Sequence, residues 1–279
     1  MKVEPCKYRC YTDAEYVAVG AILTHDLNDC DVITAIKPIK RELMLAGKTY
    51  MSYCYFYAGD EIEMVSMRHC VNNKITLLDW EMMRDENNII CIGSSKHAGT
   101  VGMFDVFRVM GEHLLMRKGI PSPFLYTGGS AYMHESLATC HRDLKRVGEI
   151  IETEGLPASL SPFVIGVSGN GIVSMGARDL LKECLPCEKI ETVEQLQSIV
   201  NNPPEDAHRK IYLFEFGRKH FIKHLNGSEF DAKDYAANKD SYQSIFADEI
   251  LPYLSLFANA ISWNENSHKL ITLQDWKRI

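Results

Sequence analysis

The sequence predicts an α/β protein built as two Rossmann-like domains, and two observations carry that prediction. From Tyr16 to Ile92, short apolar or β-branched runs alternate with helical stretches, as in layered α/β structures. The second observation is the stretch from Pro162 to Ala177, where the apolar run Phe163 to Val167 reads as a buried strand. Gly169 and Gly171 follow it, and glycine lets the backbone turn sharply and approach a ligand with no Cβ in the way. Ala177 to Lys182 then has helical spacing, so the helix's unpaired amides would face an anion lying over the turn. This is the strand, glycine turn and helix of dinucleotide-binding folds, although its spacing is Gly-x-Gly-x-x-x-x-Gly, ending at Gly176. A plain tight turn fits the same residues.

The elements follow in order. Tyr16 to Leu23 reads as helix, Cys30 to Ile36 and Lys48 to Tyr57 as strands, Glu61 to Val71 as helix, and Ile75 to Leu78 and Ile89 to Ile92 as strands. A long helix spans Val101 to Lys118, with Met103, Val106, Phe107, Met110 and Leu114 on one face and Gly119 as its stop. A second helix places Met133, Leu137, Cys140, Leu144, Val147 and Ile151 at alternating spacings of three and four, and Gly155-Leu156-Pro157 closes it. These two helices are expected to connect and brace the domains, 1–156 and 157–279. In the second domain, Lys189 to Glu191 is a strand ending in an acid about 20 residues beyond the turn, where dinucleotide folds place a ribose-binding carboxylate. Lys210 to Phe216 and Leu254 to Trp263 are further strands. Four strands against the usual six or so mark this domain as partial.

Composition narrows the function classes. A net charge of −7 with no dense Lys/Arg run argues against nucleic acid or an anionic membrane as the main partner. No apolar stretch approaches bilayer-spanning length, and Met1 to Pro5 does not read as a signal or transit peptide. Nine scattered cysteines fit reduced thiols rather than a disulfide framework. Cys184-x-x-Cys187 has no second pair beside it, so packing is expected and no metal. His220 and His224 have i, i+4 spacing, but Arg218, Lys219 and Lys223 around them suit a solvated basic face better than a cation site.

Several landmarks, taken in order, resemble one family. They are Asp13-Ala14-Glu15-Tyr16 with Gly20 to Leu23, Ile36-Lys37-Pro38, Lys48-Thr49-Tyr50, and Leu78-Asp79-Trp80-Glu81-Met82-Met83. Ala98 to Met103, Ser168 to Ala177, Leu185 to Glu188, Ile261-Ser262-Trp263 and Leu270-Ile271-Thr272 complete the set. The chain resembles the lysine-2-oxoglutarate reductase half of aminoadipic semialdehyde synthase, in the alanine dehydrogenase/transhydrogenase superfamily. The resemblance implies an N-terminal substrate domain, with its first strand missing, followed by a partial NAD(P)-binding domain.

It also implies an NAD(P)-dependent oxidoreductase acting on CH–NH bonds, which condenses L-lysine with 2-oxoglutarate and reduces the imine to saccharopine in lysine degradation. NADPH, or NADH, would be the cofactor, mitochondria the location by resemblance to the animal relatives and the cytoplasm otherwise, and a saccharopine dehydrogenase domain a further partner. Lys37 lies where the family has its catalytic lysine, and Glu81 matches an acid that tunes neighbouring bases. Read from residues alone, Lys37 is a strand-end surface lysine. The implied cofactor-binding residues are Ser168, Gly169, Gly171, Ile172, Val173, Gly176 and Glu191.

The departures matter as much. Tyr55 stands in place of the family's catalytic histidine, and a phenol, ionising near pH 10, exchanges protons poorly at neutral pH. Ala58 replaces a second basic residue, and no Arg or Lys occurs from Asp85 to Ser95. The family's opening Glu-Arg-Arg segment and its Asp-rich turn near the nicotinamide have no counterpart in the sequence. These departures carry an alternative expectation, a truncated, catalytically degenerate relative acting as a nucleotide-binding or regulatory module, with exposed sheet edges and a tendency to aggregate. A third, an alanine-dehydrogenase-like reaction, is compatible with the Lys37 region.

Overall fold

A computed structural model describes residues 1–88, 90–261 and 267–278, and the chain divides into two compact units, Met1–Ser94 and Ser95–Ile279.

The first unit opens on β1 (Lys2–Val3), paired in parallel with β2 (Ile22–Leu23). Between them, α1 (Asp13–Ala18) starts at a reciprocal cap in which the Glu15 amide donates to Thr12 Oγ1 and the Thr12 amide to the Glu15 carboxylate. The helix expected to reach Leu23 ends sooner, because Gly20 turns the chain at φ +88° and Ile22–Leu23 pair with β1. Next come β3 (Val32–Thr34), β4 (Thr49–Ser52), α2 (Glu61–Asn72) and β5 (Thr76–Asp79); the three strands form a parallel sheet in the order β3-β4-β5. At the centre, Tyr50 is buried and its hydroxyl accepts the Leu45 amide at 2.6 Å. β4 stops at Ser52 rather than Tyr57, because Tyr55 takes a left-handed conformation (φ 58°) and a 3₁₀ turn follows at Phe56–Ala58. Of the expected strand Ile89 to Ile92, Ile89 lies outside the described residues, and Ile90 makes only an isolated antiparallel bridge to Arg84.

The second unit contains α3 (Ser95–Lys118), α4 (Leu137–Thr153), β6 (Phe163–Ser168), α5 (Ile172–Cys184), β7 (Cys187–Ile190), α6 (Val193–Asn201) and β8 (Ile211–Phe216). After α7 (Arg218–Phe221), β9 (Ile222–His224) pairs antiparallel with β10 (Tyr242–Ser244), and α8 (Ala232–Ala237) lies between them in sequence. Last come β11 (Leu256–Ala258) and α9 (Leu273–Arg278). β11, β6, β8 and β7 form a four-stranded parallel sheet in that order. Among the described residues of the expected strand 254–263, residues 256–258 pair as a strand, and Ser262 and Trp263 lie outside the described residues.

Two cores sandwich this sheet, which explains why every residue of β6 is buried. Phe163, Ile165 and Val167 join Ile211 and Leu213 against Phe104, Phe107, Leu144, Val147 and Ile151 of the long helices. Val164, Tyr212, Phe214 and Phe216 face Leu196, Phe221, Phe246 and Ile250 on the other side. The two long helices, expected as braces between domains, thus pack within the second unit. The helix expected from Val101 begins six residues earlier, at Ser95. Cys140, Leu144, Val147 and Ile151 form the buried face of α4 as its periodicity predicts, whereas Leu137 is exposed in its first turn and Met133 lies in a preceding 3₁₀ turn.

A part-buried hydrogen-bonded cluster ties α4 to the segment before it. His134 is clamped between the Ser130 carbonyl (Nδ1, 2.8 Å) and Asp143 (Nε2, 3.1 Å), while Arg142 Nε donates to the same carboxylate at 2.8 Å. Arg142 first, and His134 after it, hold the Asp143 carboxyl below the usual carboxylate range. A depressed native pKa contributes stability above the unfolded value of about 4 and loses it as pH falls through the native value. Asp143→Asn is therefore expected to lower the melting temperature at pH 7, with the gap to wild type closing below about pH 4. Thermal melts between pH 7 and pH 2.5 check this; a constant gap would contradict it.

Candidate functional site

The carboxyl ends of β6, β7, β8 and β11 surround a cleft of about 1100 Å³, all within the second unit. β6 delivers the chain to it. Gly169 then turns at φ +88°, and a Cβ there would lie 2.8 Å from the Ala260 carbonyl oxygen. Its missing side chain thus accommodates the chain's own loop after β11. Gly171 differs: φ is −85°, and a Cβ would meet nothing within 4 Å, projecting into open space. As the N-cap of α5, Gly171 supplies no side chain to the helix's first amides, so these and the positive end of the helix dipole are left for an anion. The helix starts at Ile172, earlier than the expected Ala177, which brings its free amides directly behind the turn.

Ser168, Ile172, Val173, Gly176 and Glu191 have unequal places. Ile172 and Val173 line the cleft. Ser168 is buried; its hydroxyl donates to Asn259 Oδ1 (3.0 Å) and accepts the Ala260 amide (3.1 Å), pinning the β11 loop over the turn. Gly176 is not at the cleft. A Cβ on it would overlap the Lys96 carbonyl of α3, just as one on Gly99 would overlap the Val173 carbonyl, so these glycines serve the close crossing of α3 and α5. Glu191 reaches the cleft from the end of β7, ion-paired with Lys189 at 2.8 Å. The uncapped helix end, the unobstructed Gly171 and the volume fit a dinucleotide.

The histidines expected on one helical face are separated, since α7 ends at Phe221 and His224 belongs to β9. His220 is half-buried rather than solvated. Its Nδ1 accepts the Gly217 amide at 3.0 Å, and burial, with Lys219 beside it, pushes its pKa below the ordinary histidine value. The ring is therefore neutral at pH 7 with its proton on Nε2. Cys184 and Cys187 act as packing groups: burial pushes their thiols up to about 11 and about 12, and their Sγ atoms donate to the His141 and Leu181 carbonyls.

In the first unit, Lys37, Tyr55 and Glu81 follow the carboxyl ends of β3, β4 and β5, at one edge of a parallel sheet, the edge where open α/β sheets bind ligands. Lys37 is exposed and makes no hydrogen bond or ion pair among the described residues. Tyr55 stacks on Tyr53, ring centroids 6.2 Å apart. The residue in contact with Glu81 is Tyr57, whose hydroxyl donates to Glu81 Oε1 at 3.2 Å, and this carboxylate pushes the phenol's pKa above its ordinary value. Glu81 Oε2 is buried with no partner among the described residues. The sequence points to Tyr55 rather than Tyr57 because the left-handed turn at Tyr55, which breaks the alternation of strand side chains, leaves no mark in residue spacing. The run Tyr53-x-Tyr55-x-Tyr57 was the available signal.

The fold and cleft define an α/β protein with a Rossmann-like glycine turn. No family model matches the chain. Over 98% of its length it is 29% identical to the alpha-aminoadipic semialdehyde synthase of Arabidopsis thaliana, and equally to the mitochondrial enzymes of that name from Bos taurus and Mus musculus. The chain spans 26–29% of the length of these relatives. A solved L-alanine dehydrogenase superposes with a TM-score of 0.38 and 14% identity, over 73% of this chain and 48% of that one. The chain is a homologue of the alpha-aminoadipic semialdehyde synthases, which bears out the resemblance carried by its motifs.

Proposed function

We propose that the chain binds a nicotinamide dinucleotide, NADPH or NADH, in the cleft of the second unit and acts in the reductive condensation of L-lysine with 2-oxoglutarate to saccharopine. The observation that carries this reading is Gly171, a glycine with no conformational need to be one, facing open space at an uncapped helix N-terminus. When bound, the dinucleotide supplies hydride. The amides of Ile172 and Val173 hold its pyrophosphate, and Ser168 shapes the loop that bounds the turn. At the edge of the first sheet, Lys37 offers a cation for substrate carboxylate or proton exchange, and the free Glu81 Oε2 accepts a hydrogen bond from the amine. The names of the mammalian relatives support a mitochondrial setting, and a saccharopine dehydrogenase domain is the proposed partner.

A second reading, a nucleotide-binding module without turnover, is favoured by one observation: the group bonded to Glu81 is a phenol whose acidity is shifted further from neutral. General acid–base catalysis contributes roughly 10²–10⁴-fold, so the loss of an imidazole at this edge costs about that much. Absorbance of NADPH with both substrates tests the two readings. The expected result is dinucleotide binding with slow lysine- and 2-oxoglutarate-dependent oxidation, raised by Tyr57→His, which puts an imidazole beside Glu81. Robust turnover by the unmodified chain overturns the second reading; absence of dinucleotide binding overturns the first.

A further inference from the structure

We infer that the loop after β8, Gly217 to His220, and not Glu191, reads the adenosine ribose of the dinucleotide, and that Arg218 and Lys219 accept a 2′-phosphate there. This rests on the dinucleotide reading of the cleft and names which dinucleotide it selects.

Strand order carries the assignment. In dinucleotide folds the ribose is read from the end of the strand that neighbours the glycine-turn strand, with a carboxylate for a 2′-hydroxyl or an arginine nearby for a 2′-phosphate. In the usual order that neighbour is the next strand in sequence, which is why Glu191 at the end of β7 is the expected reader. Here β7 lies outside β8, and β8 pairs with β6 along its whole length, from Phe163↔Ile211 to Ser168↔Phe216. The pairing continues past the strands: the Gly169 amide donates to the Phe216 carbonyl at 2.8 Å, and a Cβ on Gly217 would lie 3.2 Å from Asn170 Nδ2. The β8 loop is thus packed against the glycine turn. β7 pairs no further than Ile190↔Phe214, so Glu191 sits one strand farther out.

Charge supplies the second argument. Glu191 is engaged by Lys189, and Glu215 is shared by Arg178 (3.6 Å) and Lys182. Arg218 and Lys219 line the same cleft, both exposed, with no carboxylate partner among the described residues. The Arg218 guanidinium lies 5.9 Å from the Tyr235 ring centroid, a contact that restrains it without consuming its charge. His220 adds an Nε2–H donor, because its Nδ1 is occupied by the Gly217 amide. The loop therefore presents donors and cations, with no free acceptor for a ribose 2′-hydroxyl among its side chains.

The test is calorimetric titration of the 279-residue chain with NADP⁺ and with NAD⁺ at fixed ionic strength. Wild type is expected to favour NADP⁺ by about tenfold or more, since each charge-assisted contact is worth about a decade in affinity. The double variant Arg218→Ala, Lys219→Ala is expected to lose that preference while holding NAD⁺ within about threefold of wild type. A preference for NAD⁺ in wild type, a preference that survives the double substitution, or a larger shift of the ratio from Glu191→Ala than from the double variant overturns the assignment while leaving dinucleotide binding standing. Binding of neither nucleotide, or unchanged affinity in Gly171→Val, overturns the parent reading and this inference with it.

Discussion

Gly171→Val is expected to abolish dinucleotide binding, weakening it by about a hundredfold or more, while the protein melts within a few degrees of wild type. The conformation at this position (φ −85°, ψ −178°) is one that valine adopts readily, and its side chain would meet no protein atom within 4 Å. What it would meet is a pyrophosphate lying against the first amides of α5. Gly169→Val provides the contrast: with φ +88° and the Ala260 carbonyl in the way, it should cost about 1–3 kcal/mol of stability whether or not a ligand is present. Calorimetry with the dinucleotide, paired with thermal melts of both variants, separates the two roles. Equal affinity in Gly171→Val and wild type would mean that nothing binds over the turn.

Gly176→Val should be among the most damaging substitutions in the second unit. Its Cβ would be driven into the Lys96 carbonyl, a backbone atom in the first turn of α3, and no rotamer change relieves a clash with backbone. Thr100 Oγ1 lies 3.1 Å from the Lys96 carbonyl and 3.2 Å from that of Gly176, so separating the helices disturbs this contact as well. A loss of about 3 kcal/mol or more, or about 6–12 °C in melting temperature, follows for a unit of this size. Circular dichroism melts measure it. A wild-type melt would show that α3 and α5 do not cross as closely as described.

These glycines show how far local pattern reaches. Gly169, Gly171 and Gly176 look alike in a motif, because each is simply a position without a Cβ. The structure divides them among a loop, an open cleft and a helix crossing, and only the cleft bears directly on a ligand. Glu191 illustrates the same limit: its distance along the chain from the turn suits a ribose reader, yet its distance in space is set by β8 inserting between β6 and β7. Tyr55 and Tyr57 differ by a single left-handed residue that reverses which phenol meets Glu81.

By itself the sequence determined the α/β class, the strand and glycine turn at Phe163 to Gly171, the apolar face of α4 and the kinship with the aminoadipic semialdehyde synthases. Each of these is written in neighbouring residues or in motif order, through side-chain periodicity and the freedom of glycine. The tertiary structure decided the order of the strands, the membership of α3 and α4 in the second unit, the place of Gly176 and the partner of Glu81. Those depend on which apolar faces bury one another across the two sides of a sheet, and a linear pattern states that a face is apolar without stating what will cover it.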